Sequence, residues 1–335
     1  MSIIGPSSLT RYRWQSFQLQ ANASIVQCGK VLDGDIVFSW NIFKGIQLIA
    51  GISSSSVDPR IFRVTPYTLD ANTVYTFQVV VSLATNKRAS STAEVNVEIG
   101  VSGVISLISG GTQWTSSSST PLLIDASGSY DVDYPSTGQL TYTWECRQYS
   151  PSYGANCPDS IEFYSDPSTT IPPNRLVPRT SYEFSVTVRN QFQATSTSRV
   201  VISIISGTFP SAVIITPRNK FNSKARVIID STVSVPFFQR ATATWSSNDI
   251  SQALLSSSCI SALSNTFASN TTTLFQLALR PFSLNPGGTY SFQLSLANSE
   301  ITITSTVQIV MNSPPYGGSL LISPPEGTAL ETVSF

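Results

Sequence analysis

Three tryptophans and three tyrosines recur in one register along this 335-residue chain. Trp40, Trp144 and Trp245 lie 104 and 101 residues apart. Each ends an alternating run: Ile36-Val-Phe38-Ser-Trp40, Leu140-Thr-Tyr142-Thr-Trp144 and Ala241-Thr-Ala243-Thr-Trp245. Tyr75, Tyr182 and Tyr290 lie 107 and 108 residues apart, and each opens a second run such as Tyr182-Glu-Phe184-Ser-Val186-Thr-Val188. A large apolar residue at every second position is the period of a strand with one face in a core. A leucine stands six residues before each tyrosine (Leu69, Leu176, Leu284), with turn-forming residues between. A threefold repeat of about 100 residues restricts the chain to a tandem array of small β-units.

The pattern is that of immunoglobulin- or fibronectin-III-like sandwiches. A tryptophan lies on a central strand, and a tyrosine starts a later strand with its hydroxyl tied to the chain upstream, as in a tyrosine corner. Trp40, Trp144, Trp245, Tyr75, Tyr182 and Tyr290 are therefore the expected structural core. The expected divisions are a tail at 1–10, sandwiches at 11–100, 101–206 and 207–312, and the start of a truncated fourth unit at 313–335. Because the chain stops inside what reads as a new strand, Ala329 to Phe335, it is read as a piece of a longer protein.

Composition narrows the function. Charged residues are only 11% of the chain, about half the usual share, and the net charge is zero. No basic patch invites nucleic acid. There is no histidine, which removes the commonest general base and metal ligand and excludes a Ser-His-Asp or Cys-His site. The chain is read as non-catalytic. No apolar run approaches 18 residues, so no segment of this sequence reads as a membrane span.

Of the four cysteines, Cys146 and Cys157 enclose ten residues beside Trp144. They are read as a disulfide, the alternative being two reduced thiols. Cys28 and Cys259 lie in different units and receive no assigned partner, each being either buried and free or bonded to residues outside this chain; Cys259 lies 14 residues after its tryptophan, nearly the 13 of Cys157. Asp125, Asp131 and Asp133 are the one dense acidic group beside a landmark. They are candidates for calcium through carboxylate oxygens. The favoured alternative places Asp125 in a side-chain-to-backbone turn and leaves Asp131 and Asp133 as solvated turn residues. Asn22-Ala-Ser24 and Asn270-Thr-Thr272 are glycosylation candidates in a secreted chain. No cofactor is called for.

Asp125-Ala-Ser-Gly-Ser-Tyr-Asp131-Val-Asp133, followed by Leu140-Thr-Tyr-Thr-Trp144-Glu-Cys146 and Cys157, resembles the receptor-for-egg-jelly (REJ) region of polycystin-1-like proteins and sea-urchin sperm receptors. Polycystic-kidney-disease (PKD) repeats share its Asp-x-Ser-x-Ser and Tyr-x-Trp elements. The segment Asn312 to Leu330 is similar to the opening of a later unit of that region. The resemblance implies a non-catalytic array on the extracellular face of a membrane protein, or secreted, acting in adhesion, ligand sensing or spacing. Its partner would be an unknown protein or glycan, the membrane would be reached only through parts absent from this chain, and the array is expected to be monomeric. The second reading is an accessory carbohydrate- or adhesin-type binding module. Trp14, Trp114, Tyr149 and Tyr153 lie off the repeated core pattern and are its candidate exposed aromatics.

Overall fold

A computed structural model of the chain describes residues 1–27, 30–32, 36–85, 87–215, 220–237 and 239–314. It is an all-β array of immunoglobulin/fibronectin-III-like sandwiches with one short helix among the described residues. The chain divides into two compact units: residues 1–109 with 116–207, and residues 110–115 with 208 onward.

The first unit holds two sandwiches. In the first, a five-stranded sheet runs Ser8–Tyr12, Ser90–Gly100, Thr73–Leu83, Ile36–Lys44 and Gln47–Leu48. It faces a three-stranded sheet of Ser2–Ile4, Phe17–Asn22 and Ile61–Val64. Strict alternation in Phe-Gln-Leu-Gln-Ala-Asn puts Phe17, Leu19 and Ala21 inside. Phe17 and Leu19 meet Phe62, Val64, Phe77, Val95, Val97 and Ile99, and Ala21 lies with Val79 and Val81. Each of the large apolar side chains contributes about 1.5–3 kcal/mol when fully buried. In the second sandwich, Leu140–Ser150, Thr180–Asn190 and Thr195–Ile205 pair in that order, and Leu122–Asp125 pairs with Ser168–Ile171. In the second unit, Ala241–Ser247, Thr289–Ala297 and Thr302–Met311 make the corresponding trio. Ser211–Ile214, Ser231–Val235 and Thr271–Leu274 form a further sheet.

The register is the same three times. Each tryptophan stands opposite the residue four beyond the tyrosine: Trp40 opposite Val79, Trp144 opposite Val186, Trp245 opposite Leu294. Each tyrosine hydroxyl accepts from the backbone N–H five residues upstream, at 3.1 Å from Asp70, 3.2 Å from Val177 and 3.0 Å from Asn285. Leu69, Leu176 and Leu284 are buried beneath these corners. Burial is the main force raising the Tyr75 phenol above its ordinary value. Trp144 and Trp245 are buried, whereas Trp40 is half-buried and packs against the core from its margin.

One expectation is corrected, and one element lies outside the expectations. Residues 1–10 are not a tail. Ser2–Ile4 pairs antiparallel with Phe17–Asn22, and Ser8–Tyr12 pairs parallel with the end of Ser90–Gly100. Ile3 and Leu9 pack on the core, so two short edge strands gain from burial what their length cannot signal in sequence. The helix Gln252–Ser258 was not expected: the Ser251 side chain caps it by accepting from the Leu254 N–H, and Leu255 anchors it in the core. Of the fourth unit, residues 315–335 lie outside the described residues.

Candidate functional site

The first unit contains a dense polar junction between its two sandwiches, built around Arg13. This side chain follows the Ser8–Tyr12 strand. Its Nε donates to the Leu69 carbonyl at 2.9 Å, and an Nη donates to the Asp133 carbonyl. Its guanidinium lies 4.1 Å from the centre of the Tyr134 ring and 5.5 Å from that of Tyr67. A guanidinium over aromatic faces contributes about 0.5–2 kcal/mol, more as water is excluded. Tyr134 answers in the opposite direction, its hydroxyl accepting from the Ala71 N–H at 3.2 Å. Its ring stacks on Phe192, 6.0 Å between centres.

Beneath this contact lies a chain of buried carboxylates. Asp133 is 0% exposed and Asp131 1%, so both must be fully hydrogen-bonded to be tolerated there. Asp133 accepts from the Ser102 N–H and hydroxyl, each at 2.7 Å. Asp131 accepts from the Asp133 N–H at 2.8 Å, the Tyr134 N–H at 3.3 Å and the Asn190 amide at 2.8 Å. The Asn190 side-chain oxygen in turn accepts from the N–H groups of Phe192 and Ala194, both at 3.0 Å. Trp14 joins the same network through its indole N–H to the Ser102 hydroxyl at 3.0 Å. Ser102 sits between the two sandwiches in sequence, so its three bonds fix the connecting segment itself.

This overturns the expectation of solvated turn residues at Asp131 and Asp133, whose short turn is folded under Tyr134 and the hairpin at Asn190. Asp125 does form the expected side-chain-to-backbone turn, accepting from the Ser127 N–H at 2.9 Å. The calcium reading fails on the same geometry. The carboxylates of Asp131 and Asp133 are occupied by N–H and O–H donors. Among the described residues no group of three His, Cys, Asp or Glu could hold a metal. Arg13, Ser102, Tyr134 and Asn190 were missed in the sequence because no periodicity links residues 31 to 120 positions apart.

The remaining candidates lie elsewhere. Cys146 and Cys157 are disulfide-bonded, with Cα atoms 5.8 Å apart. Cys259 is free, its sulfur 3.4 Å from the Ser261 hydroxyl and from the Ala278 carbonyl. Cys28 lies outside the described residues. Asn22 and Asn270 are exposed. Of the candidate aromatics, Trp14, Tyr149 and Tyr153 are exposed, but Trp114 is buried at 4% and is withdrawn. Its ring lies flat against Gly110, where any side chain would overlap it. No helix among the described residues is long and apolar enough to cross a membrane.

The REJ domain family matches residues 5–334 of this chain. Polycystin-1 of Homo sapiens is 24% identical over 264 residues, which is 75% of this chain and 6% of that protein. The chain thus spans only a small part of that relative's length. Among solved structures, extracellular domains 3–5 of Drosophila OTK are 11% identical, covering 92% of this chain and 95% of that one at a TM-score of 0.27. The FN1–FN3 domains of chicken CNTN1 are 13% identical, covering 90% and 96% at a TM-score of 0.25.

Proposed function

The chain belongs to the REJ domain family, and from that premise we propose that it is a non-catalytic stretch of the extracellular part of a polycystin-like membrane protein, serving as a spacer that holds adhesive or sensing elements at a set distance. The observation that supports the spacer role is the Arg13 junction. Two neighbouring sandwiches joined by a bare linker would swing, since modest interfaces leave domain motion as the default. Here, Arg13 spans from Leu69 to Asp133 while Tyr134 reaches back to Ala71. A tie in each direction resists both bending and rotation. The buried Ser102–Asp133–Asp131–Asn190 chain makes the second sandwich's half of the joint rigid.

The test uses the whole chain with one dye in each sandwich of the first unit, at the exposed positions Val57 and Leu123. Single-molecule energy transfer should give one narrow distribution, broadened at least twofold by Arg13→Ala with Tyr134→Phe. A broad distribution in the unaltered chain would sink the spacer reading. Failure of a membrane-impermeant reagent to label the native protein on intact cells would sink the extracellular one.

A further inference from the structure

The second sandwich carries a small polar cleft on the outer face of its three-stranded sheet, of about 160 Å³. Its floor is Glu145, Arg147 and Gln148 on one strand, Glu183 and Ser185 on the next, and Arg199 on the third. The register explains the grouping. Glu145, Ser185 and Arg199 stand side by side across the sheet, with Arg147 opposite Glu183 in the adjacent row. Period-two alternation turns Glu145, Arg147, Glu183, Ser185 and Arg199 outward while Trp144, Phe184, Val186 and Val200 turn inward. Among the described residues the ion pairs are Lys44–Asp70 and Arg60–Asp58, so the four charges of the cleft have no salt-bridge partner.

One wall is a preorganised aromatic loop. The Cys146–Cys157 disulfide closes it, and two backbone bonds brace it, Gln148 N–H to Ala155 O at 2.8 Å and Gly154 N–H to Gln148 O at 2.9 Å. Tyr153 and Gly154 line the cleft. Tyr149 and Tyr153 meet edge to face at 5.8 Å, which holds Tyr153 upright although it is 78% exposed. A large aromatic side chain kept in solvent by a cross-linked loop, beside unpaired donors and acceptors, is the makeup of a recognition site.

We propose that this cleft binds one uncharged sugar ring of a neutral glycan, with Glu145, Glu183, Arg147 and Arg199 addressing its hydroxyls and Tyr153 packing on its C–H face. The charges select the class. Two arginines and two glutamates sum to zero. An anionic sugar would meet both carboxylates, and an amine would meet both guanidinium groups. A vicinal diol is donor and acceptor at once, so it satisfies a carboxylate and a guanidinium together. The volume lies well below the roughly 300–1,000 Å³ of sites for drug-sized ligands, and suits a single ring. So shallow a site is expected to bind weakly and to depend on multivalent display. It goes beyond the spacer role, and it stands or falls independently of the stiffness of the Arg13 joint.

The experiment passes the whole chain over polymers displaying glucose, galactose or mannose, with sialyllactose and sulfated galactose polymers alongside. At least one neutral polymer should be retained more strongly than both anionic ones, and Tyr153→Ala and Glu183→Gln should each weaken it tenfold or more. Both positions face outward, so thermal unfolding of the variants should match the parent; if one variant misfolds, the other decides. Retention of none of the neutral polymers, preference for the anionic ones, or unchanged binding by the folded variants would each overturn the proposal.

Discussion

Trp144 and Trp245 hold the same place in two sandwiches, yet their surroundings differ. The indole N–H of Trp144 donates to the Asp166 carbonyl at 2.9 Å, as that of Trp40 donates to Pro59 at 3.0 Å. Trp245 is 0% exposed, stacks on Phe275, and its N–H finds no acceptor among the described residues. An unpaired buried donor costs about 1–3 kcal/mol. In the third sandwich Phe275 stacks on the indole and Phe267 meets Phe275 edge to face. The position two beyond each tryptophan diverges in the same way. Ile42 is buried, Cys146 enters the disulfide, and the Ser247 hydroxyl donates to the Ser291 carbonyl at 2.8 Å. A shared register therefore sets where the ring goes and leaves each sandwich to finish its own core.

The largest effect expected is the one that tests what the two share. Trp144→Ala and Trp245→Ala should each destabilise their own unit by about 3–5 kcal/mol, read by urea unfolding. A loss under about 1 kcal/mol at either site would show that its ring is not a core member. Next comes the cross-link that, among the described residues, only the second sandwich has. Replacing both Cys146 and Cys157 by serine should lower the stability of the first unit by about 2–3 kcal/mol, and a reducing agent should do likewise while leaving the second unit's melting unchanged. Equal sensitivity of the two units to reductant would contradict the assignment.

Smaller, and sharper, is the response to losing only the indole N–H. Trp144→Phe leaves the Asp166 carbonyl without its donor and should destabilise by about 1 kcal/mol beyond the change in ring size. Trp245→Phe removes an orphan and should be closer to neutral. Matching losses in the two variants would mean that Trp245 finds a partner in solution. The smallest effect is alkaline. Burial raises the phenols of Tyr75 and Tyr142, both in the first unit, above the ordinary value of 10.0. A group that holds its proton more tightly when folded gives stability that is complete below about pH 10 and is lost as pH rises past it. The first unit's resistance to chemical unfolding should therefore fall as pH rises above about 10, and Tyr142→Phe should flatten that slope. A pH-independent first unit over that range would refute it.

Much of this was legible from alternation alone. Period two identified the Trp and Tyr strands, and the Leu-to-Tyr spacing announced corners that the structure closes three times. The edge strands in residues 1–12 were invisible, because three to five residues are too few to show a period. Trp114 read as a free aromatic because part of its cover is the bare backbone of Gly110, which leaves no apolar signature. Tyr153 read as exposed and is exposed, but the charges beside it lie on three different strands.

The sequence by itself determined the all-β class, the threefold register, and which residues face inward along each long strand, since those follow from local periodicity. Only the tertiary structure decided that Arg13 meets Asp133 and Tyr134, that Asp131 and Asp133 are buried rather than solvated, and that Trp245 alone of the three repeat tryptophans finds no acceptor among the described residues. Those outcomes depend on which donor reaches which acceptor across long sequence separations. Buried polar groups accept or reject a fold by whether every partner arrives, and no local pattern encodes that arrival.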